Sequence, residues 1–173
     1  PDDGWNELVR GGLAVAPGRI VLATRLFNPA YGVGVYVFDW DGSAWKPAGD
    51  AHVVVSGVAS VPTGQVALDG DRVLIGSYEA AIAGMAVFLE PTGADGQWLP
   101  GQVLGASDPS VGQGFGWRVA LEGDRAVVCA PFDSSDTGAA YVFAREADGT
   151  WTETGKLVPD DLSPGDTFCR EMV

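Results

Sequence analysis

The side chains that could do chemistry in this chain are few and scattered. His52 is the single histidine, and no serine or cysteine accompanies it at a spacing that builds a nucleophile and its base. It reads as a solvated loop residue. Neighbouring acids occur at Asp2–Asp3 and Asp160–Asp161. Glycoside cleavage needs two carboxyls at a fixed separation across a cleft, so these adjacent pairs read as turn residues and no catalytic residue is assigned. Cys129 and Cys169 are too few for a disulfide scaffold and too isolated for a zinc site. The six tryptophans fall into two groups. Trp45, Trp98 and Trp151 stand 53 residues apart, whereas Trp5, Trp40 and Trp117 keep no such spacing. A periodic aromatic anchors structure. An aromatic out of period is a candidate contact, because its face stacks on sugars and on partner side chains.

The tryptophan spacing belongs to a repeat that runs through the chain. Residues 13–23, 66–76 and 119–129 align at the same 53-residue offset. A second register is carried by Val35 to Phe38, Met85 to Phe88 and Ala140 to Phe143, whose final phenylalanines are 50 and 55 residues apart. The frame is constant and one loop within it varies. Self-similarity at such a period signals repeat architecture. Each unit reads as four short strands. Runs such as Val66 to Leu68 and Arg72 to Ile75 flank an Asp-Gly-Asp hairpin turn. A third strand ends in the aromatic segment, and a fourth starts at the periodic tryptophan and includes Trp151 to Leu157. No window sustains a 3.6-residue apolar period, so essentially no helix is expected. The fold class is therefore all-β. Four-stranded antiparallel β-propeller blades are expected at about 4–55, 56–108 and 109–161, with the first strand of a fourth over about 162–173.

Composition narrows the partners. With 10 Lys+Arg against 23 Asp+Glu the net charge is -13. Such a surface repels phosphate backbones, which are bound by neutralising Lys and Arg, so nucleic acid is set aside. No apolar run approaches the 18 residues that a spanning helix needs, so membrane insertion is set aside too. Three blades cannot close a propeller, which takes about four to eight. Either the chain is a segment of a longer protein, the reading favoured here, or copies associate to complete a ring, most simply two chains of three blades.

Phe115 and Gly116 open the third unit, Cys129, Ala130 and Pro131 close its first hairpin, and Gly138 to Phe143 and Trp151 follow. In these residues the chain resembles the FG-GAP repeat of integrin-like β-propellers and of many bacterial surface proteins. The match is carried by spacing more than by letters. Cys129 stands where the family has glycine, Pro62–Thr63 and Val9–Arg10 stand where Phe-Gly would fall, and Phe168–Cys169 repeats Phe115–Gly116 with cysteine for glycine. The two cysteines occupy one hairpin end and the entrance of the next unit. They could meet across adjacent blades, but strict disulfide geometry favours leaving them unpaired.

The resemblance implies calcium in an acidic loop between the first two strands of some blades. Here those turns are Asp69 to Asp71 and Glu122 to Asp124, too short to supply the 6–8 oxygens calcium takes, so no cofactor and no metal is expected. Asp133 to Asp136 is a weaker candidate and reads as a polar turn. The resemblance further implies that binding uses the loops between second and third strands and between blades. The candidate ligand-binding residues are Arg25, Phe27, Asn28, Tyr31, Tyr78, Glu79, Trp117, Asp133 and Asp136. The expected role is a non-catalytic, extracellular bacterial adhesion module that recognises a protein or a glycan. The alternatives are a structural subunit of a surface assembly or filament, and a propeller hydrolase or lyase with its site over the channel.

Overall fold

The computed structural model describes residues 12–26, 32–48, 53–55, 65–78, 83–92 and 97–171, with the backbone alone for 25, 26, 32, 53–55 and 92. They form three antiparallel sheets in chain order. The first holds β1 (Gly12–Ala16), β2 (Arg19–Leu26), β3 (Gly32–Trp40), β4 (Trp45–Pro47) and β5 (Val53–Val55). In it both β4 and β5 pair with β3, so they share the outer-strand position. The second holds β6 (Val66–Asp69), β7 (Arg72–Ser77), β8 (Met85–Thr92) and β9 (Gln97–Leu104). The third holds β10 (Val119–Glu122), β11 (Arg125–Ala130), β12 (Ala139–Arg145) and β13 (Trp151–Leu157). Among the described residues no helix is long and apolar enough to cross a membrane.

Strand alternation explains why the sheets stack. Successive side chains on a strand point to opposite faces, and the middle sheet is apolar on both. Val73, Ile75, Val87 and Leu89 pack with Val21, Ala23, Val33, Val35 and Val37 of the first sheet. Leu74, Ala86, Phe88 and Leu104 pack with Val119, Ala126, Val128, Tyr141 and Trp151 of the third. One core therefore lies in each joint between sheets.

The observed register corrects one alignment read from sequence. Val73 pairs with Leu89 and Ala126 pairs with Phe143, so Leu89, not Phe88, is the counterpart of Phe143. A slip of one residue sends a side chain to the other face. Phe88 accordingly stacks on Trp151 of the following sheet, with centroids 4.6 Å apart and planes 16° from parallel. Phe143 instead lies edge-on to Phe115 at 6.2 Å.

One further expectation changes. Residues 158–171 form successive turns without a strand. The counterpart of β10 one period later would begin at 172, outside the described residues. Among the described residues the one helical segment, α1 (Asp133–Asp136), is a left-handed turn, in line with the expectation of essentially no helix: Ser134, Ser135 and Asp136 have φ of 51°, 61° and 62°, a conformation that costs L-residues roughly 1–2 kcal/mol each.

A polar clamp recurs beside each apolar joint. Arg19 grips Asp39 of its own sheet through two hydrogen bonds of 2.6 and 2.9 Å. It reaches across to Asp71 and lies over the Trp98 ring at 5.0 Å, both in the next sheet. One period later Arg72 grips Asp69, reaches Asp124 at 3.5 Å and lies over Trp151 at 5.8 Å. Periodic arginine and periodic tryptophan thus form one device, with the arginine from one unit and the ring from the next.

The stacked pair that fixes the register gives a direct test. Phe88→Ala is expected to cost about 3–5 kcal/mol in chemical denaturation. A double-mutant cycle with Trp151→Ala should return a coupling of about 0.5–1.5 kcal/mol. A coupling indistinguishable from zero would place Phe88 on the opposite face.

Candidate binding surface

In the third sheet the loop joining second to third strand and the segment entering the sheet lie at one end of the strands, opposite the hairpin turn at Gly123–Asp124, and Tyr78 at the end of β7 lies at the same end of the second sheet, opposite Gly70–Asp71. The entry to the third sheet is the best defined. Phe115 sinks into the core, fully buried, and its N–H donates to the Ala83 carbonyl at 2.9 Å. Gly116 follows with φ of 93°, where a Cβ would collide with the carbonyl oxygen of Met85. Only glycine combines that backbone with that approach. The N–H groups of Gly116 and Trp117 both donate to the Cys129 carbonyl, at 3.0 and 3.2 Å. The turn is thereby wedged between two sheets.

That wedge sets Trp117 among aromatic neighbours from separate loops. Its ring lies 4.3 Å from Tyr78, which follows β7, and 5.2 Å from Phe132, which follows β11. Arg170 covers the cluster, its guanidinium 5.7 Å from the Trp117 ring and 6.0 Å from Phe132. The indole N–H donates to the Arg170 carbonyl at 3.1 Å, and Arg118 donates to the same oxygen. Tyr78, Trp117 and Phe132 are half-buried and Arg170 is exposed. Aromatic faces with a cation beside them can stack on sugar rings or apolar side chains and attract a carboxylate.

Beside this cluster sits a charged network. Asp133 is 3% exposed and meets Lys156 Nζ at 3.0 Å and Tyr141 Oη at 3.0 Å. Asp108 meets the same two groups at 2.7 Å each. A phenol has one proton to donate, so Tyr141 serves the two carboxylates in turn. Burial pushes the Tyr141 hydroxyl well above its ordinary value, and its hydrogen bonds to Asp108 and Asp133 add to this. Lys156 and then Tyr141 hold the Asp108 carboxyl below its usual range. Burial pulls Lys156 down, but its two carboxylate partners outweigh that and raise it.

Of the residues singled out in the sequence, Tyr78 and Trp117 come together. Trp117 lies in the turn two residues ahead of β10. Asp133, expected on the loop surface, is buried in the Lys156 network. Asp136 is exposed, and its backbone carbonyl accepts from Gly165 and Thr167. Arg25 lies near the end of β2, paired with Val33. Its side chain, and Phe27, Asn28, Tyr31, Glu79 and His52, fall outside the described residues. Among the described residues no group of three metal-ligating side chains gathers. Phe132 and Arg170 were missed. Arg170 follows Phe168–Cys169 at the position Trp117 holds one period earlier, which is the signal that could have found it.

Cys129 and Cys169 form a disulfide, with Cα atoms 5.5 Å apart, where the sequence favoured two unpaired thiols. One period earlier the same two positions are Gly76 and Gly116, and a Cβ on Gly76 would collide with the Gly116 carbonyl. The backbone approach that glycines permit in one joint is spanned by a covalent bond in the next.

Residues 98–143 match the FG-GAP repeat. The FG-GAP match runs from the start of the outer strand in the second sheet through most of β12 in the third. It includes the Phe115–Gly116 wedge and the Cys129 to Pro131 segment. No curated protein matches the chain.

Two outcomes follow. Thiol titration of the native chain should find no free thiol. Replacing both cysteines by alanine should lower unfolding free energy by about 2–4 kcal/mol, the loss expected for opening a loop of 40 residues. The charged network sets the pH window. Asp108 is depressed, so its contribution is present above about pH 4 and lost as pH falls through its folded value. Lys156 and Tyr141 are raised, so theirs is present below about pH 10 and lost as pH rises past their folded values. Lys156→Met should cost about 1–3 kcal/mol at neutral pH, because it strands the buried Asp133, and should flatten the alkaline limb in a pH series of denaturation curves.

Proposed function

We propose that this chain is a non-catalytic β-propeller module, exported from a bacterium, that binds a protein or a glycan through the end of its sheets carrying Tyr78, Trp117 and Phe132. One observation carries the reading. Three aromatics from three separate loops converge at the same end of the strands, half-exposed, with the Arg170 guanidinium against them. Recognition sites are built from variable loops on a constant frame, and the loops here differ in chemistry while the strands beneath them repeat.

Other observations support parts of the reading. The acids that come together, Asp108 and Asp133, are both tied to Lys156 and Tyr141, which favours a structural task for them over proton transfer. The disulfide favours an oxidising compartment outside the cytosol. A net charge of -13 favours protein and carbohydrate over nucleic acid. The FG-GAP match over residues 98–143 supports a propeller-type scaffold of the kind used for binding.

The test is a screen of the purified chain on a glycan array and on immobilised extracellular proteins, followed by titration of any hit. Trp117→Ala and Tyr78→Ala are each expected to weaken a genuine hit by at least tenfold, as aromatic anchors do, with an unchanged circular dichroism spectrum. A hit whose affinity neither substitution moves would put the binding surface elsewhere.

A further inference from the structure

We propose that the loop crossing from the second sheet to the third, residues 105–114, makes the contact that selects the ligand, and that the ligand is a protein with an apolar pocket for Val111 at the loop tip. The inference rests on the recognition reading above and narrows its ligand to one class. The loop lies over an internal joint, with β9 of the second sheet before it and β10 of the third after it.

The loop is a built device that recurs. The Ser110 N–H donates to Gln113 Oε1 at 2.7 Å, and the Gln113 N–H donates to the Ser110 carbonyl at 3.3 Å. Gly112 between them has φ of 77°. One period later the Ser163 N–H donates to Asp166 Oδ2 at 2.7 Å, and the Asp166 N–H donates to the Ser163 carbonyl at 3.1 Å. Gly165 between those two has φ of 93°. The closing bonds keep the period and the tip does not, being Val111 in one loop and Pro164 in the other. A constant frame with a changing tip is how loops vary recognition.

The loop is also pinned. Ser107 donates through its N–H and its hydroxyl to Glu153, at 3.0 and 2.7 Å. Asp108 accepts from Lys156 and Tyr141. Gln113 is fully buried, and its carbonyl accepts the Phe132 N–H at 3.0 Å, which ties the loop to the aromatic cluster. A side chain presented on such a frame gives up little freedom when it is bound. Val111 is 86% exposed, the most exposed large apolar side chain among the described residues, and it belongs to neither core.

What this end turns outward decides the ligand class. A sugar needs open ring faces and polar side chains placed to meet its hydroxyls. Trp117 already has Tyr78 and the Arg170 guanidinium against its ring, and its N–H is spent on the Arg170 carbonyl. The polar side chains of the loop are engaged by the protein itself, Ser107 by Glu153, Asp108 by Lys156, and Ser110 by Gln113. Pro109 and Val111 remain exposed, and neither side chain carries a polar atom. An apolar tip of this kind is matched by the apolar centre of a protein interface. Around it Asp108, Asp133 and Glu153 outnumber Lys156, so the pocket that receives Val111 is expected to have a basic rim.

The test is selection of a random-peptide phage library on the immobilised 173-residue chain, with a glycan array read in parallel. Enriched peptides are expected to combine apolar residues with Lys or Arg. Val111→Asp is expected to weaken them about tenfold, the scale of one buried valine side chain, whereas Val111→Leu should retain binding. Both variants should keep the circular dichroism spectrum, because Val111 packs in no core. Trp117→Ala separates this inference from the reading beneath it. A glycan or peptide whose binding falls with Trp117→Ala but not with Val111→Asp overturns the inference and leaves that reading standing. Binding that neither substitution moves overturns both. A library that yields no peptide dependent on Val111 also overturns the inference.

Discussion

A sheet that is apolar on both faces is the constraint from which the rest of this structure follows. β7 places Val73 and Ile75 on one side and Leu74 on the other, and all three are buried. Neither face of such a sheet tolerates water, so the unit is stable only between two others. Each sheet of the repeat inherits the requirement, because the alternation that produces it recurs with the period. The polar groups are then pushed to the two ends of the strands. At the hairpin end they form the arginine clamps. At the other end, where glycines let one backbone lie against the next, they and the aromatics Tyr78, Trp117 and Phe132 form the candidate binding surface.

The joints answer the same geometric demand in different ways. Between the second and third sheets the Phe115–Gly116 turn fits because position 76 is glycine. At the following joint cysteines replace both glycines and a disulfide holds the turn. The left-handed turn over Ser134 to Asp136 belongs to this arrangement. The Asp136 carbonyl receives the N–H groups of Gly165 and Thr167, and the Thr137 carbonyl receives that of Phe168. Backbone held in a sparsely populated region persists where its surroundings over-determine it, and here the surroundings are the incoming turn. The segment that carries Arg170 over Trp117 is thus fixed by a covalent bond and by backbone hydrogen bonds.

The period, the hairpins and the four-stranded units were legible in the sequence, because each depends on local alternation and on turn residues. What depended on a register between strands was not. Phe88 stands in a run that mimics Ala140 to Phe143 in lettering, yet pairing with β7 turns it toward the next sheet. Periodic arginines and tryptophans were visible separately. Their union was hidden, because the two halves of one clamp lie in different units, 79 residues apart in both Arg19–Trp98 and Arg72–Trp151. The candidate surface was legible to the extent that a loop residue broke the period, as Trp117 does. Asp133 looked like any loop acid, since nothing local announces that Lys156 and Tyr141 will enclose it.

The clamps lie at the hairpin end of the strands and the aromatic cluster at the opposite end. What holds one sheet to the next is thereby kept apart from what the loops present. The periodic Trp98 and Trp151 are buried against the preceding sheet under its arginine, whereas Trp117, which keeps no period, is left half-buried at the other end. Loops at that end can change in chemistry without disturbing the joints, which is the condition under which a repeated frame serves recognition.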